Sequence, residues 1–408
     1  MIYSLQEIVL HAKNCSPYYR KLYAGIGEHF SLEDLPIVTQ EDFWEHNSIQ
    51  NNRLLTGPIE DGVVFKSGGT TGRPKFSVFT KAEWERFTAE FAYGMDHLAL
   101  ENGDRVANLF YGGSMYASFV FIMKSLEKCH QRLLHFPISG QCPLEDTIAF
   151  IRDYDIRVLL GVPTSIITLI SKASAMEVKL PLTKIFFGGE SMYPDQREFI
   201  KSYFPKILIS SIGHASVDGG HIGLATPLCS YNEHVEFCKS SILEIIDPDS
   251  GQPIINSRKR GRLVYTNLTR KLMPIIRYPV GDMAEWTSES SEGERKYRIL
   301  GRDDAGARVG TVTLTRDDLE QVFAAFKFTH KQMLLERIAG KDALTIRVVG
   351  STTTSKEQLL QHLYKERSHL LAEVKKGHIN PPIIEIVNES DLEVNPRTGK
   401  LRLVIDRR

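Results

Sequence analysis

The stretch that decides the fold is Lys66-Ser67-Gly68-Gly69-Thr70-Thr71-Gly72-Arg73-Pro74-Lys75. It follows Val63-Val64-Phe65 and precedes Phe76-Ser77-Val78-Phe79, and the β-branched and aromatic residues of both flanks predict strands. We therefore expect a hairpin-like turn between two strands. Three glycines let the backbone turn tightly and approach a ligand, and successive N–H groups in such a loop form an anion-binding concavity. Together with its hydroxyl and cationic side chains, the loop predicts a phosphate site.

Composition alone leaves an alternative, because most surface turns rich in glycine, serine and threonine bind nothing. A P-loop is excluded by spacing, since that motif needs Gly-Lys-Ser/Thr at the start of a helix and here Arg73-Pro74 follows Gly72. The ordered string is more specific. It resembles the phosphate-binding signature of the adenylate-forming enzymes, which include acyl-CoA synthetases, luciferases and peptide-synthetase adenylation domains. The resemblance implies phosphate binding by Ser67, Gly68, Gly69, Thr70, Thr71, Gly72 and Lys75.

The composition is typical of a soluble globular protein with two or more domains. The chain has 408 residues, beyond the size at which a single core usually keeps growing. Charged residues make up 25% and the formal net charge is zero, which argues against nucleic acid or anionic membranes as partners. The five cysteines have neither CxxC nor zinc-ligand spacing, and no run approaches the length of a membrane span. We therefore expect reduced thiols and a cytoplasmic protein.

Three patterns divide the chain after the loop. From about residue 81 to 210, helices alternate with short apolar strands, which predicts a largely parallel sheet covered on both faces. Short strands separated by turns predict a β-rich subdomain at about 230–300, and mixed elements predict an α+β unit at 301–408. The expected fold class is α/β, with a large N-terminal domain (1–300) of mostly parallel sheets plus this small subdomain, then a small mobile α+β C-terminal domain. Chemistry is expected in loops after strands, beyond the carboxyl ends of a parallel sheet.

Two loops after predicted strands match segments that bind adenine in the adenylate-forming family. Gly188-Gly189-Glu190 follows an apolar strand, and the family's Gly-Gly-Glu at this distance from the phosphate loop lines the adenine pocket. An ordinary strand-end turn is the alternative. Residues 209–220 lie where the family often has Tyr-Gly-x-x-Glu. The register that we choose puts His214 at the aromatic position, Ala215 at the glycine, Ser216 at the hydroxyl and Asp218 at the acid. Asp218 then becomes a ligand for Mg²⁺, with a structural histidine and a turn aspartate as the alternatives.

Three further segments extend the resemblance toward the end of the chain. Residues 277–282, Arg-Tyr-Pro-Val-Gly-Asp, resemble the family's Tyr-Arg-Thr-Gly-Asp, which implies that Asp282 accepts hydrogen bonds from the ribose hydroxyls. Gly301-Arg302-Asp303-Asp304 resembles the start of the family's C-terminal domain, which implies Arg302 at the ribose or phosphate and Asp304 as the hinge. The Pro-x-x-Gly-Lys at 396–400 implies that Lys400 is the lysine that enters the active site during adenylation. A charged linker and a solvated turn lysine are the alternatives.

The N-terminal segments indicate a branch of the superfamily. Ser16-Pro17-Tyr18-Tyr19-Arg20 and residues 35–42 resemble the phenylacetate–CoA ligase branch. Tyr111, Gly112 and Gly113 lie where that branch has an aromatic, glycine-rich segment beside the acyl pocket, although these residues are also compatible with the core.

The resemblance implies a two-step reaction. A carboxylic acid, expected to be an aryl or arylacetic acid, reacts with ATP in the presence of Mg²⁺ to give an acyl-adenylate, and a thiol then displaces AMP. CoA is the first expected acceptor. A carrier-protein thiol, another acceptor or a non-catalytic nucleotide-binding protein are the alternatives. The oligomeric state stays open, with a homodimer as the commonest form by base rate.

Overall fold

A computed structural model describes residues 1–67, 75–192, 194–248, 250–256, 258–288, 294–302, 306–309, 312–339, 341–350, 353–375, 377, 379–396 and 399–408. The chain divides into two units. Unit 1 comprises Met1–Gly161, Pro181–Gly188 and Leu208–Leu300. Unit 2 comprises Val162–Leu180, Gly189–Ile207 and Gly301–Arg408. Gly301, the predicted start of the C-terminal domain, is one point of passage into unit 2, but two earlier segments also belong to this unit.

The elements are numbered in chain order. The helices are α1 (Leu5–Cys15), α2 (Pro17–Leu22), α3 (Gln40–Glu45), α4 (Lys81–Met95), α5 (Ser118–Leu126), α6 (Leu144–Asp153), α7 (Pro163–Ala175), α8 (Pro194–Tyr203), α9 (Arg316–Val322), α10 (Lys356–Glu366) and α11 (Ser368–Lys375), with a 3₁₀ turn at Glu389–Asp391. The strands are β1 (Val63–Ser67), β2 (Lys75–Phe79), β3 (Arg105–Asn108), β4 (Leu134–Phe136), β5 (Val158–Gly161), β6 (Lys184–Phe187), β7 (Leu208–Ser211), β8 (His214–Ser216), β9 (Gly220–Leu224), β10 (Glu233–Glu236), β11 (Ser241–Ile246), β12 (Gly261–Asn267), β13 (Tyr278–Trp286), β14 (Lys296–Arg302), β15 (Gly306–Val309), β16 (Val312–Thr315), β17 (Phe328–Ile338), β18 (Lys341–Gly350), β19 (Ile383–Ile386) and β20 (Val404–Asp406). No helix among the described residues is long and apolar enough to cross a membrane.

A parallel sheet in unit 1 confirms the predicted alternation of helices and strands. Its order is β4-β3-β5-β6-β7, and every pairing is parallel. All four residues of β5 are buried, as expected for a strand covered on both faces. Three of the four residues of β6 are also buried. The carboxyl ends of these strands therefore form one edge from which the loops leave.

The β-rich part of unit 1 begins earlier in the chain than the sequence predicted. Its seven strands follow the order β11-β12-β13-β14-β10-β9-β8, so β8 and β9 precede residue 230. β10 pairs antiparallel with β14 and β9, β12 with β11 and β13, and β8 with β9. The chain turns at residues 237–240 between β10 and β11.

The N-terminal helices pack against this antiparallel sheet. Ser4 and Glu7 form a capping box at the start of α1, which satisfies two N–H groups there. The Tyr19 hydroxyl donates to the Pro274 carbonyl at 2.9 Å. The N-terminal segment is thus tied to chain far along the sequence, and their apolar side chains form one buried cluster in unit 1.

Unit 2 is built around the sheet β19-β18-β17-β20. β17 and β18 form a long antiparallel hairpin, while β19 and β20 pair parallel at its two sides. Leu359 and Leu363 of α10 are fully buried in the same core cluster as Phe328 and Ile346 of the hairpin. Gln196 of α8 donates to the carbonyl of Thr329 at 3.1 Å, so a helix from the middle of the chain is part of this unit.

Candidate active site

The phosphate-type loop is held at both ends by a hairpin. β1 and β2 pair antiparallel up to Ser67 opposite Lys75, which confirms the predicted strands on both sides of the loop. The other predicted phosphate-binding residues lie outside the described part of the chain: Gly68, Gly69, Thr70, Thr71 and Gly72. The Lys75 ammonium lies 3.2 Å from Gln40 Oε1 and 5.3 Å from the centre of the Trp44 ring. These two contacts hold the cation at the end of the loop.

Helix α3 links the end of the loop to strand β13. Gln40 Nε2 donates to the Pro279 carbonyl at 2.8 Å, while Oε1 of the same amide accepts from Lys75. Trp44 Nε1 donates to the Tyr278 hydroxyl at 2.8 Å. One short helix therefore fixes the position of the loop cation relative to the strand that carries Asp282.

Asp218 lies in the turn between β8 and β9 and faces the hairpin. Its carboxylate accepts from Ser77 Oγ at 3.2 Å and from the Tyr278 hydroxyl at 3.5 Å. The Arg270 guanidinium donates to the Asp218 carbonyl and, at 2.8 Å, to the carbonyl of Val78. Burial lowers the pKa of Arg270, and nearby carboxylates oppose this shift. Asp218 is therefore a carboxylate fixed beside the strand that leaves the phosphate loop.

Ser216 shapes the turn that holds Asp218. Its Oγ accepts from the backbone N–H groups of Asp218 at 3.1 Å and Gly219 at 3.3 Å. These bonds make Ser216 a turn residue, as short hydroxyl side chains often are. The predicted contact of Ser216 with a nucleotide stays a prediction.

Asp282 and His214 meet in the antiparallel sheet. His214 Nε2 lies 3.4 Å from Asp282 Oδ2, and Nδ1 lies 2.9 Å from the Tyr297 hydroxyl. Burial raises the pKa of Tyr297 well above its usual value, so this hydroxyl stays protonated in its hydrogen bond with Nδ1. Both side chains are largely buried, with exposed fractions of 12% for His214 and 14% for Asp282.

A second buried histidine lies behind this pair. The rings of His234 and His214 are 5.6 Å apart, and His234 Nε2 lies 3.2 Å from Ser211 Oγ. Burial, assisted by His214, lowers the pKa of His234 to about 3. His234 is therefore neutral near pH 7 and adds no charge beside Asp282.

The predicted acyl-pocket residues follow β3 at the carboxyl edge of the parallel sheet. A Cβ on Gly140 would lie 2.6 Å from Tyr111 Cε2, so the aromatic ring is seated on a bare glycine. A Cβ added to Gly112 would similarly lie 3.1 Å from the Cβ of Phe119. Gly113 has φ of +82°, a conformation that favours glycine. The segment is thus closely packed and its backbone conformation depends on small residues.

The partners of Gly188 and Glu190 lie in different parts of the structure. Gly188 donates its N–H to the Gly161 carbonyl at 3.2 Å in unit 1. Glu190, in unit 2, accepts on Oε2 from Thr164 Oγ1 at 2.7 Å and on Oε1 from the Leu401 N–H at 2.7 Å. Both oxygens of the carboxylate thus contact protein donors, which gives Glu190 partners that the adenine-pocket prediction did not include.

Lys400 is presented by a turn in unit 2. The Asn395 N–H donates to the Lys400 carbonyl and the Gly399 N–H donates to the Asn395 carbonyl, both at 2.8 Å. Gly399 has φ of +66°, which favours glycine at the end of this turn. Two predicted residues near the interdomain boundary, the side chain of Arg302 and all of Asp304, lie outside the described residues.

Comparisons with known proteins agree with this arrangement. No protein-family profile matches the chain. Phenylacetate-coenzyme A ligase from Aromatoleum evansii is 24% identical over 430 residues, covering 99% of this chain and 93% of that protein. Two further phenylacetate-coenzyme A ligases match over 99% and 90% of the chain. These matches confirm the predicted resemblance to the phenylacetate–CoA ligase branch of the adenylate-forming enzymes.

Two further comparisons concern a relative with a different name and a solved structure with a similar fold. Indoleacetate–lysine synthetase from Pseudomonas savastanoi is 28% identical over 280 residues, covering 66% of this chain and 64% of that protein. A crystal structure of 2-hydroxyisobutyryl-CoA ligase in complex with R3-HIB-AMP superposes with a TM-score of 0.75 at 22% identity, covering 99% of this chain and 88% of that chain. This superposition confirms the α/β fold class of a phenylacetate–CoA ligase-like protein.

The backbone favours a different register for the Tyr-Gly-x-x-Glu signature of the adenylate-forming superfamily. Ala215, predicted to replace the glycine, lies in β8 and pairs with His221, next to a register shift between His214 and Ala215. Gly213 instead has φ of +115°, a conformation that L side chains rarely adopt. If Gly213 is the signature glycine, Ile212 takes the aromatic position and Ser216 the acid position. Asp218 is then an additional carboxylate in the same turn.

Ile212 has a further contact that fits this register. A Cβ added to Gly188 would lie 2.9 Å from Cδ1 of Ile212. The backbone N–H of Ile212 donates to the Phe187 carbonyl at 2.9 Å. An aliphatic side chain therefore covers the glycine at the end of β6.

Several supporting residues of this phenylacetate–CoA ligase-like site were missed in the sequence. They are Gln40, Trp44, Thr164, Arg270 and Tyr297. Gln40 lies within the 35–42 segment that indicated the branch, and this was the only sequence signal for it. The others make contacts over long sequence separations, which no local pattern reports.

Proposed function

We propose that the protein joins a carboxylic acid to CoA at the expense of ATP, through an acyl-adenylate. A carboxylate oxygen of the acid attacks the α-phosphorus of ATP, the bond to the bridging oxygen of the β-phosphate breaks, and pyrophosphate leaves. The thiol sulfur of CoA then attacks the acyl carbonyl, AMP leaves, and the thiol proton is released. The protein is accordingly an AMP-forming acid–thiol ligase.

The observation that carries the proposal is the convergence of three features on β13. This strand bears Asp282, its Tyr278 hydroxyl donates to Asp218, and α3 ties its first residues to Lys75 at the phosphate-type loop. A nucleotide triphosphate needs a cationic phosphate site, a carboxylate for the ribose diol and a carboxylate for a divalent cation. Unit 1 has one group for each need.

The ribose is proposed to bind at Asp282. One carboxylate has two oxygens and can accept from both hydroxyls of a vicinal diol. The His214 ring, itself fixed by Tyr297, lies with Nε2 3.4 Å from Asp282 Oδ2 and limits the orientation of this carboxylate before the nucleotide arrives. His214 is thus proposed to position Asp282, and the register described above removes the need for it to stack on adenine.

Asp218 fits a Mg²⁺ site that is completed by the substrate. Magnesium usually binds one or two protein carboxylates together with substrate phosphates and water, rather than an all-protein cage. No group of three or more His, Cys, Asp or Glu side chains among the described residues is arranged to hold a metal. When bound, the ion would neutralise charge on the phosphates. The Ser77 and Tyr278 hydroxyls keep the Asp218 carboxylate oriented.

Catalysis is proposed to depend on positioning and on stabilising charge, with Lys400 as the catalytic residue. No covalent protein nucleophile is needed, because the acid itself is the nucleophile. A preorganised ammonium stabilises the negative charge that grows on the α-phosphate oxygens and reduces its repulsion with the incoming carboxylate. Lys75 and the loop residues between Ser67 and Lys75 are proposed to hold the β- and γ-phosphates.

The names of the relatives support an aryl or arylacetic acid as substrate. Tyr111, seated on Gly140 at the carboxyl edge of the parallel sheet, is the proposed aromatic wall of the acyl pocket. The relative named indoleacetate–lysine synthetase favours a second candidate, in which an amine instead of a thiol receives the acyl group.

The decisive experiment is ATP–pyrophosphate exchange over a panel of benzoic, phenylacetic, indoleacetic and fatty acids. Exchange that requires one of the arylacetic acids is expected. Product formation is then followed by mass spectrometry with CoA, with lysine and with hydroxylamine as acceptors. A CoA thioester as the product supports the ligase. An amide formed with lysine supports the second candidate.

Two variants make the result specific. Asp282→Asn is expected to raise KM for ATP, because a neutral amide accepts less strongly from the ribose, while Glu127→Gln on an exposed helix end serves as the matched control. Absence of exchange with every acid, together with absence of ATP binding by calorimetry, would refute the proposed function and favour a non-catalytic protein.

A further inference from the structure

Glu190 joins two parts of unit 2 that are distant in sequence. Its Oε2 accepts from Thr164 Oγ1 at 2.7 Å and from the Thr164 N–H at 3.3 Å, in the first turn of α7. Its Oε1 accepts from the Leu401 N–H at 2.7 Å. A carboxylate is well suited to the start of a helix, where N–H groups lack partners and the helix dipole is positive. The same carboxylate thereby holds the residue that follows Lys400.

Gly189 makes room for the Lys400 side chain. A Cβ at residue 189 would lie 2.9 Å from Lys400 Cε and 3.3 Å from Nζ. The end of the lysine side chain therefore packs directly against Gly189, where any larger residue would place a Cβ. Gly189 and Glu190, adjacent in the chain, contact Lys400 and Leu401, which are also adjacent.

We propose that Glu190 is a positioning residue for Lys400. Its carboxylate fixes the backbone at Leu401 against α7, and Gly189 gives the lysine side chain a defined path, so that the ammonium is held in one place for the first half-reaction. This role rests on the proposed function, in which Lys400 assists adenylation and has no part in thioester formation. The adenine-pocket role of Glu190 stays a prediction.

The contact itself is measured by hydrogen exchange at the Leu401 amide. In Glu190→Ala this amide loses its acceptor, and its exchange is expected to accelerate about tenfold or more. Glu190→Gln keeps one acceptor oxygen and is expected to fall between Glu190→Ala and the wild type. Thr168→Val is the matched control, because it removes another hydrogen bond of α7 to the C-terminal segment, from Thr168 Oγ1 to Glu389 Oε1 at 2.6 Å. The control is expected to leave exchange at Leu401 unchanged.

The positioning role is measured by separating the two half-reactions. Glu190→Ala is expected to lower kcat for pyrophosphate exchange by about 10²-fold, since small misplacements of a catalytic group have effects of this size, with little change in KM for ATP. Thioester formation from supplied acyl-adenylate and CoA is expected to stay near wild type. Circular dichroism and the melting temperature check that each variant is folded.

Different failures have different meanings. Unchanged exchange at Leu401 in Glu190→Ala, or equal acceleration in Thr168→Val, overturns the specific contact. Equal losses in both half-reactions, or normal adenylation in Glu190→Ala, overturn the positioning role. No adenylation by the wild-type protein with any acid overturns the proposed function, and with it the catalytic part of this inference, while the hydrogen-exchange result still decides whether Glu190 holds the Lys400 segment.

Discussion

Replacing Arg270 with leucine is expected to weaken unit 1 more than any exposed charge would. The guanidinium is almost fully buried, donates to the carbonyls of Asp218 and Val78, and lies 4.0 Å from the centre of the Phe79 ring. Each hydrogen bond to a charged group contributes about 1.5–3 kcal/mol, and a buried cation–π contact about 2 kcal/mol. Removal also relieves the desolvation of the cation but takes this donor away from the carbonyls of Asp218 and Val78. The expected loss is therefore about 3–5 kcal/mol, the range typical of broken buried charge networks.

Tryptophan fluorescence isolates this effect, because all tryptophans of the chain lie in one unit. They are Trp44, Trp84 and Trp286, in unit 1. Urea unfolding followed by this signal gives the free energy of unfolding for Arg270→Leu. Arg298→Leu is the control, since Arg298 is 37% exposed and pairs with Glu285 at 2.9 Å, a pair expected to contribute at most about 1 kcal/mol. A loss below about 1 kcal/mol for Arg270→Leu, or equal losses in both variants, would refute the reasoning.

Other changes test the site and its supports. Lys400→Ala is expected to lower pyrophosphate exchange by about 10²–10³-fold while ATP binding by calorimetry stays near wild type, and near-normal exchange contradicts the catalytic role. Asp304→Pro is expected to spare adenylation and block thioester formation, whereas equal loss of both steps contradicts a hinge. Gly140→Ala forces Tyr111 to move and is expected to alter the ranking of acids by kcat/KM, so an unchanged ranking contradicts the pocket. Burial lowers the pKa of His234 to about 3, and an unfolded imidazole titrates near 6.5. The unfolded state thus binds more protons below about pH 6.5, and stability present above that pH is lost as the pH falls toward 3. His234→Asn is expected to reduce this slope in fluorescence-monitored unfolding, and an identical slope counts against it.

The regular part of the fold was predictable because periodicity reports it directly. The alternation after residue 81 gave the five-stranded parallel sheet, since helix and strand periods differ and buried strands are continuously apolar. The hairpin on both sides of the loop followed from β-branched and aromatic flanks. The α+β pattern after residue 301 likewise matches the four-stranded sheet and its helices.

Positions set by tertiary contacts were not predictable in this way. The sequence placed α7 and α8 among the parallel strands with which they alternate, and it gave no sign of their hydrogen bonds to Glu389 and Thr329, residues of unit 2. Gly213 was passed over as the signature glycine because its positive φ is visible only in the backbone. The amide of Gln40 contacts residues on two different elements, and such bridges leave no periodic trace.

The division of unit 2 among three stretches of chain has a consequence during synthesis. α7 and α8 leave the ribosome well before the β17–β18 hairpin, and β20 follows later still. Unit 2 therefore cannot complete its fold until the last of its three stretches has been synthesised, and the buried face of α7 stays uncovered until then. A stop codon or protease cut near residue 301 would leave the two helices without these partners. We expect such fragments to be targets for chaperones.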